Sequence, residues 1–324
     1  MPELPEVETI KRQLAPVVAG RTIVDVEILD PRWTRPLAPA EVEAALRGRR
    51  VVSLGRRGKY LLWELEGDVH LAQHLRMTGS VLAGPDPEPA HTRVRIALGP
   101  RPGERGGGVR LVVDDPRRFG TGELLLGGEA LSSFLDARLG LEPFDDGFDA
   151  DYLRTVMRGS RAPVKPVLLD QKRIAGVGNI YADEALFRAG IHPLRPAGSL
   201  TKAQAERLRE GIVETLQAGI DARGASIDDF RDIDGVKGSF QDRFLVHLRE
   251  GEPCPRCGGV ISKIVVGGRG TYVCERCQRP PRGRRAIRPA RAREPRSGTA
   301  AGVARPSRKA APRGGRPARR RAAR

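Results

Sequence analysis

Cys254-Pro-Arg-Cys257 and, after sixteen intervening residues, Cys274-Glu-Arg-Cys277 contain every cysteine of the 324-residue chain. Two CxxC pairs at this spacing can close a tetrahedral four-sulfur zinc site, because each tight turn delivers two thiolates. A redox dithiol or an iron–sulfur centre is the competing reading, and in a reducing compartment clustered thiols are expected to be metal ligands before disulfides. Four thiolates leave no open coordination position, so one zinc per chain on Cys254, Cys257, Cys274 and Cys277 holds shape and performs no chemistry. Between the pairs, residues 261–266 and 271–273 flank Gly267-Gly-Arg-Gly270, which reads as a β-hairpin with Arg269 at its tip. There it can reach a phosphate or a groove; an ordinary solvated turn arginine is the alternative.

Towards the N-terminus, Asp228–Gly238 is a linker rich in Asp and Gly. Before it, Thr201-Lys-Ala-Gln204 forms a capping box, and Leu208, Ile212 and Leu216 fall on one helical face. From Thr22 to about Leu126 short aliphatic runs alternate with Gly and Pro: 23–29, 51–54, 60–65, 69–75, 94–98, 109–113 and 123–126. That pattern predicts an antiparallel sandwich or barrel. Val7, Ile10, Leu14 and Val17 form a helical stripe starting near Pro5, and Pro16 is expected to end or kink it. The expected organisation is α+β and multidomain: a β domain over 2–140, a helical domain over 141–240, a metal module over 241–280 and a tail over 281–324.

Charge is concentrated at the end. The chain carries +17, but Pro281–Arg324 holds 16 basic residues and one acid, leaving the first 280 residues at +2. This Arg/Ala/Pro-rich segment has too little apolar surface to offset its ordering entropy and is expected to be a disordered arm for polyanions. No apolar run reaches the roughly 18 residues of a membrane span, and Glu3, Glu6 and Glu8 stand where a signal peptide would be basic. A cytoplasmic protein is expected.

Three further segments carry possible chemistry. Ile174-Ala-Gly-Val-Gly-Asn-Ile-Tyr-Ala-Asp-Glu184 is a Gly-rich turn entering a helix, suited either to a phosphate or to close helix packing. Its neighbours Arg158, Arg161, Lys165, Lys172 and Arg173 favour a nucleic-acid backbone. Removal of Met1 would leave Pro2 as a secondary amine titrating near about 8, able to attack an aldehyde-like carbon and form an iminium. In the bland reading, Glu3 and Glu6 beside it merely complement a helix dipole. Lys59 is one of only 8 lysines, which marks it as a compact proton donor or, equally, as a surface strand charge.

Together, Pro2-Glu-Leu-Pro-Glu-Val-Glu8, Arg57-Gly-Lys-Tyr-Leu-Leu62, His74-Leu-Arg-Met-Thr-Gly79, Asp115-Pro-Arg-Arg-Phe-Gly120, Gly176-Val-Gly-Asn-Ile-Tyr-Ala182 and the CxxC pairs occur in the order of the bacterial formamidopyrimidine-DNA glycosylases. The resemblance spans residues 2–277. It implies an N-terminal β-sandwich, a helix–two-turn–helix domain and a C-terminal four-cysteine zinc finger. It also implies a monomer that flips oxidised purines out of damaged double-stranded DNA and excises them, with β,δ-elimination, in base excision repair near the nucleoid. By motif, Pro2 resembles the nucleophile at C1′, Glu3 the general acid, Lys59 the residue assisting β-elimination and Arg269 the one associated with δ-elimination. Met77, Arg117 and Phe119 resemble the residues filling the gap left by the flipped base. Glu6, His91, Asn179, Arg161 and Lys165 complete the set expected to face DNA.

Two stretches depart from the family pattern. Arg223-Gly-Ala-Ser-Ile227 replaces paired Gly followed by paired Ser or Thr, and Val246-His-Leu248 replaces Val-Tyr-Gly. An endonuclease VIII-like enzyme for oxidised pyrimidines is the nearest alternative, although its opening more typically reads Glu-Gly-Pro. A non-catalytic nucleic-acid-binding zinc protein is the other.

Overall fold

The computed structural model describes residues 2–104, 106–227 and 230–281. The expected removal of Met1, and all but the first residue of the arm expected to be disordered over 281–324, lie outside these residues.

Eight strands form two four-stranded antiparallel sheets. One has the order β1 (Ile23–Ile28), β6 (Thr92–Leu98), β7 (Val109–Asp114), β5 (Ser80–Ala83); the other runs β2 (Val51–Arg57), β3 (Tyr60–Leu65), β4 (Val69–His74), β8 (Thr121–Leu126). The period-2 alternation is clearest in β6, where Thr92, Val94, Ile96 and Leu98 are buried and Arg93, Arg95 and Ala97 are half-buried. Val94 and Ile96 join Val26, Leu61, Trp63, Leu71 and Leu111 in the sandwich core. Strand β5, Ser-Val-Leu-Ala, carries only two consecutive large aliphatic residues and does not stand out as a run. Helix α2 (Pro39–Leu46) lies outside the predicted elements; Pro39 opens it and Glu41 accepts the Ala38 N–H at 2.8 Å.

Helix α1 (Leu4–Val18) runs past Pro16 and ends only at Ala19. Pro16 lies in the last turn, so one lost i→i−4 bond does not break the helix. The stripe buries Val7, Ile10, Leu14 and Val18, with Val17 only half-buried. Each such side chain contributes roughly 1.5–3 kcal/mol by leaving water. Leu4, one turn earlier, belongs instead to the core of the helical region. Helix α1 therefore spans both cores, and its first residues sit where they meet.

After α3 (Gly128–Asp136), the helical region comprises α4 (Ala150–Met157), α5 (Val164–Leu169), α6 (Asn179–Ala189) and α7 (Lys202–Asp221). Thr201 caps α7 through Gln204, as its sequence predicts. Strands β9 (Ser262–Val266) and β10 (Arg269–Val273) form the hairpin between the cysteine pairs. Its turn is Gly267-Gly268, both at positive φ, so Arg269 opens β10 opposite Val266 and does not occupy the tip itself.

Candidate active site

The N-terminal residues are threaded against the Gly-rich turn. Leu4 N–H donates to the Gly176 carbonyl at 3.1 Å, and one Glu3 carboxylate oxygen accepts the Ile180 N–H at 3.1 Å. The start of α6 is thus occupied by the chain's own carboxylate, which satisfies one of its free N–H groups. At this end of α6 the glycines serve close packing. A Cβ on Gly178 would collide with Glu3, and one on Gly176, at φ +91°, would collide with Leu4. Gln171 supports the turn from behind, accepting from Gly176 N–H at 2.9 Å and donating to the Val177 carbonyl at 2.8 Å.

Glu3 is only 1% exposed, and its second carboxylate oxygen is buried with no hydrogen-bond partner among the described residues. An orphaned carboxylate oxygen is costly unless a ligand or a proton satisfies it. Glu6 is buried beside it. It accepts from Glu3 N–H at 2.8 Å, Tyr181 OH at 2.7 Å and Ala225 N–H at 2.7 Å, and burial followed by the Glu3 charge pushes its carboxyl above the usual range. Glu6, expected to face DNA, instead fastens α1 to α6 and to the loop after α7.

Lys59 lies in the two-residue turn between β2 and β3 and is 6% exposed, which excludes the surface-charge reading. Burial lowers its pKa; Glu3 and Glu6 oppose that shift and Arg269 reinforces it. Lys59, Arg269, Met77, Phe119, His74, Arg76, Leu169 and Gln171 line one cavity of about 520 Å³. His74 and Gln171 had no assigned role in the sequence, although His74 opens one of the quoted motifs. The His74 imidazole is held neutral, its pKa depressed to about 3 by burial and then by Arg76 and Lys59. Its Nδ1 accepts the Arg76 N–H at 2.9 Å.

The loop carrying Arg117 and Phe119 is organised by Asp115, which accepts from Thr78 OH at 2.6 Å and Gly120 N–H at 2.7 Å. Arg118, at positive φ, is anchored to Asp30 at 2.6 and 2.9 Å. Arg117 and Phe119 are left projecting, the guanidinium 4.9 Å from the ring centroid and the ring 50% exposed. His91 and Arg161 are exposed. Asn179 donates to the Gly270 carbonyl at 3.2 Å. Lys165 is a correction: it is 0% exposed and ion-paired with Asp183 at 2.6 Å, so it faces protein and no phosphate.

The four cysteine sulfurs lie within 4.8 Å of one another, with Cys254–Cys277 at 3.8 Å and Cys257–Cys274 at 3.5 Å. A zinc tetrahedron with bonds of about 2.3 Å has edges of about 3.8 Å, so the donor set fits one closed zinc site. Among the described residues, no helix is long and apolar enough to cross a membrane.

Comparison with known proteins gives matches along the chain. Residues 1–122 match the family model for the formamidopyrimidine-DNA glycosylase N-terminal domain, 139–231 that for its H2TH domain, and 251–280 a zinc finger found in FPG and IleRS. A formamidopyrimidine-DNA glycosylase of Bacillus licheniformis is 43% identical over 86% of this chain and 100% of that protein. One from Heliobacterium modesticaldum is 45% identical, with the same coverage. The crystal structure of the MutM (Fpg) protein from Thermus thermophilus superposes with a TM-score of 0.75 at 43% identity, covering 86% of this chain and 98% of that one. The Lactococcus lactis Fpg in complex with DNA containing an abasic site gives 0.78 at 36% identity, covering 86% and 100%.

Proposed function

The chain belongs to the formamidopyrimidine-DNA glycosylase family of base excision repair enzymes, and from that membership we propose that it is a monomeric, bifunctional glycosylase and abasic-site lyase for oxidised purines in duplex DNA. The observation that carries the reading is the buried, half-satisfied Glu3 carboxylate, next in sequence to Pro2. The Pro2 nitrogen attacks C1′ and gives up its proton, and the bond from C1′ to the damaged base breaks as the base leaves with the bonding pair and takes up a proton. Glu3 delivers a proton to O4′ as the sugar ring opens, leaving an iminium at C1′. The iminium acidifies C2′–H; loss of that proton expels the 3′ phosphate, and a second elimination expels the 5′ phosphate. Water at C1′ then returns the free amine. Lys59 assists the first elimination and Arg269 the second. Its pKa, lowered mainly by burial, gives Lys59 a larger neutral fraction than an exposed lysine has. Met77, Arg117 and Phe119 occupy the gap in the helix, while His91, Arg161 and Asn179 approach the phosphates. The four thiolates hold zinc, which braces the hairpin bearing Arg269 and takes no part in bond breaking.

Incision of a panel of duplexes, each with one defined lesion, tests the assignment. Cleavage at 8-oxoguanine and formamidopyrimidines above oxidised pyrimidines is expected. A preference for pyrimidines transfers the enzyme to the endonuclease VIII type, and no incision leaves only a binding protein.

A further inference from the structure

Asp183 is fully buried, yet its carboxylate meets three separate parts of the chain. Oδ1 pairs with Lys165 Nζ at 2.6 Å, while Oδ2 lies 2.9 Å from His247 Nδ1 and accepts the Tyr272 N–H at 3.3 Å. Lys165 Nζ passes the grip on, donating to Thr271 Oγ1 at 2.8 Å and to the Gly270 carbonyl at 3.2 Å. Thr271 Oγ1 donates in turn to the carbonyl of Arg269 at 3.0 Å, and Asn179 adds a second donor to Gly270. The opening of β10 is therefore held by α5 and α6, and these bonds converge on one carboxylate. The mechanism above uses neither Asp183, Lys165, Thr271 nor His247.

A buried ion pair contributes little net stability, because desolvation consumes most of the Coulombic gain, but removing one partner is costly because the other charge is left buried and unpaired. Burial lowers the Lys165 pKa and Asp183 opposes that shift, so loss of the carboxylate would leave an ammonium in apolar surroundings without its counter-charge. His247 stands at one of the stretches that depart from the family pattern, and its imidazole meets the second Asp183 oxygen.

We infer that Asp183 is a positioning residue for Arg269, fixing through Lys165 and Thr271 the strand that aims the guanidinium into the cavity shared with Lys59. The inference rests on the proposed role of Arg269 in the second elimination. Asp183→Asn removes the charge; Thr271→Val removes only the hydroxyl relay and buries no unpaired charge.

The test is a single-turnover assay at saturating enzyme on an end-labelled duplex with a preformed abasic site, using the full chain, both variants and Arg269→Ala. Both variants should bind one zinc and trap on borohydride within about twofold of the unsubstituted enzyme. Their ratio of doubly to singly eliminated product should fall by about tenfold, towards that of Arg269→Ala. If Arg269→Ala lowers the ratio and neither variant does, the positioning inference is wrong while the Arg269 assignment stands. If Arg269→Ala leaves the ratio unchanged, the assignment itself fails. A variant that loses duplex affinity but keeps the ratio shows a merely structural role and also overturns the inference. Should Asp183→Asn not fold, Thr271→Val decides alone.

Discussion

The carboxylate of Glu3 rests against the α-carbon of Gly178, in the space a methyl group there would fill, while it accepts a hydrogen bond from Ile180 at the start of α6. An alanine at this position must displace either the proposed general acid or the helix. Gly178→Ala should therefore lower single-turnover base excision by at least about 100-fold. Cleavage of a preformed abasic site should suffer less, since the opened sugar already presents its aldehyde. Excision within twofold of normal would show that Glu3 is not held there in solution.

The neutrality of His74 has a signature in stability against pH. Its folded pKa of about 3 lies below the unfolded value near 6.5, so between these values the unfolded chain binds the extra proton. The contribution is complete above pH 6.5 and is lost as pH falls towards 3, about 5 kcal/mol in all. Chemical denaturation of His74→Gln should show a flatter dependence across that window than the unsubstituted chain. Parallel curves would mean that the imidazole is not desolvated.

Elemental analysis should find one zinc per chain. Serine at Cys257, or a strong chelator, should unfold the finger, because binding of structural zinc is worth roughly 10–16 kcal/mol in small finger peptides. Duplex affinity should drop by tenfold or more as Arg269 loses its support. Retained affinity without metal would separate the finger from DNA binding.

Arg117, stacked on the exposed Phe119 ring, is expected to act on the opened helix and not on the phosphates. Replacement by alanine should reduce excision of a lesion by about 10–100-fold and change the affinity for undamaged duplex by less than threefold. Equal losses on both would assign Arg117 to backbone contact.

How far the sequence could be read varies with the range of the interaction. Period-2 runs and the capping box at Thr201 are local signals, and the strands and α7 follow them. The CxxC spacing reports a metal site because both halves of the signal lie in one short module. The glycines at 176 and 178 were ambiguous, since what they accommodate, Glu3 and Leu4, lies more than 170 residues away. Lys165 illustrates the same limit: among neighbouring basic residues it looked like a phosphate contact, whereas Asp183 and the finger strand enclose it. The partners of Glu6 are equally invisible to local pattern, because they come from the chain's start, α6 and residue 225.

In the proposed mechanism the Pro2 nitrogen forms the covalent bond to DNA. Borohydride added during turnover on an 8-oxoguanine duplex, followed by peptide mass spectrometry, tests it most directly. A reduced adduct on the N-terminal peptide at Pro2 is expected, abolished when an extra residue ahead of Pro2 converts the amine into an amide. An adduct on Lys59, or full activity with the N-terminus blocked, would contradict it.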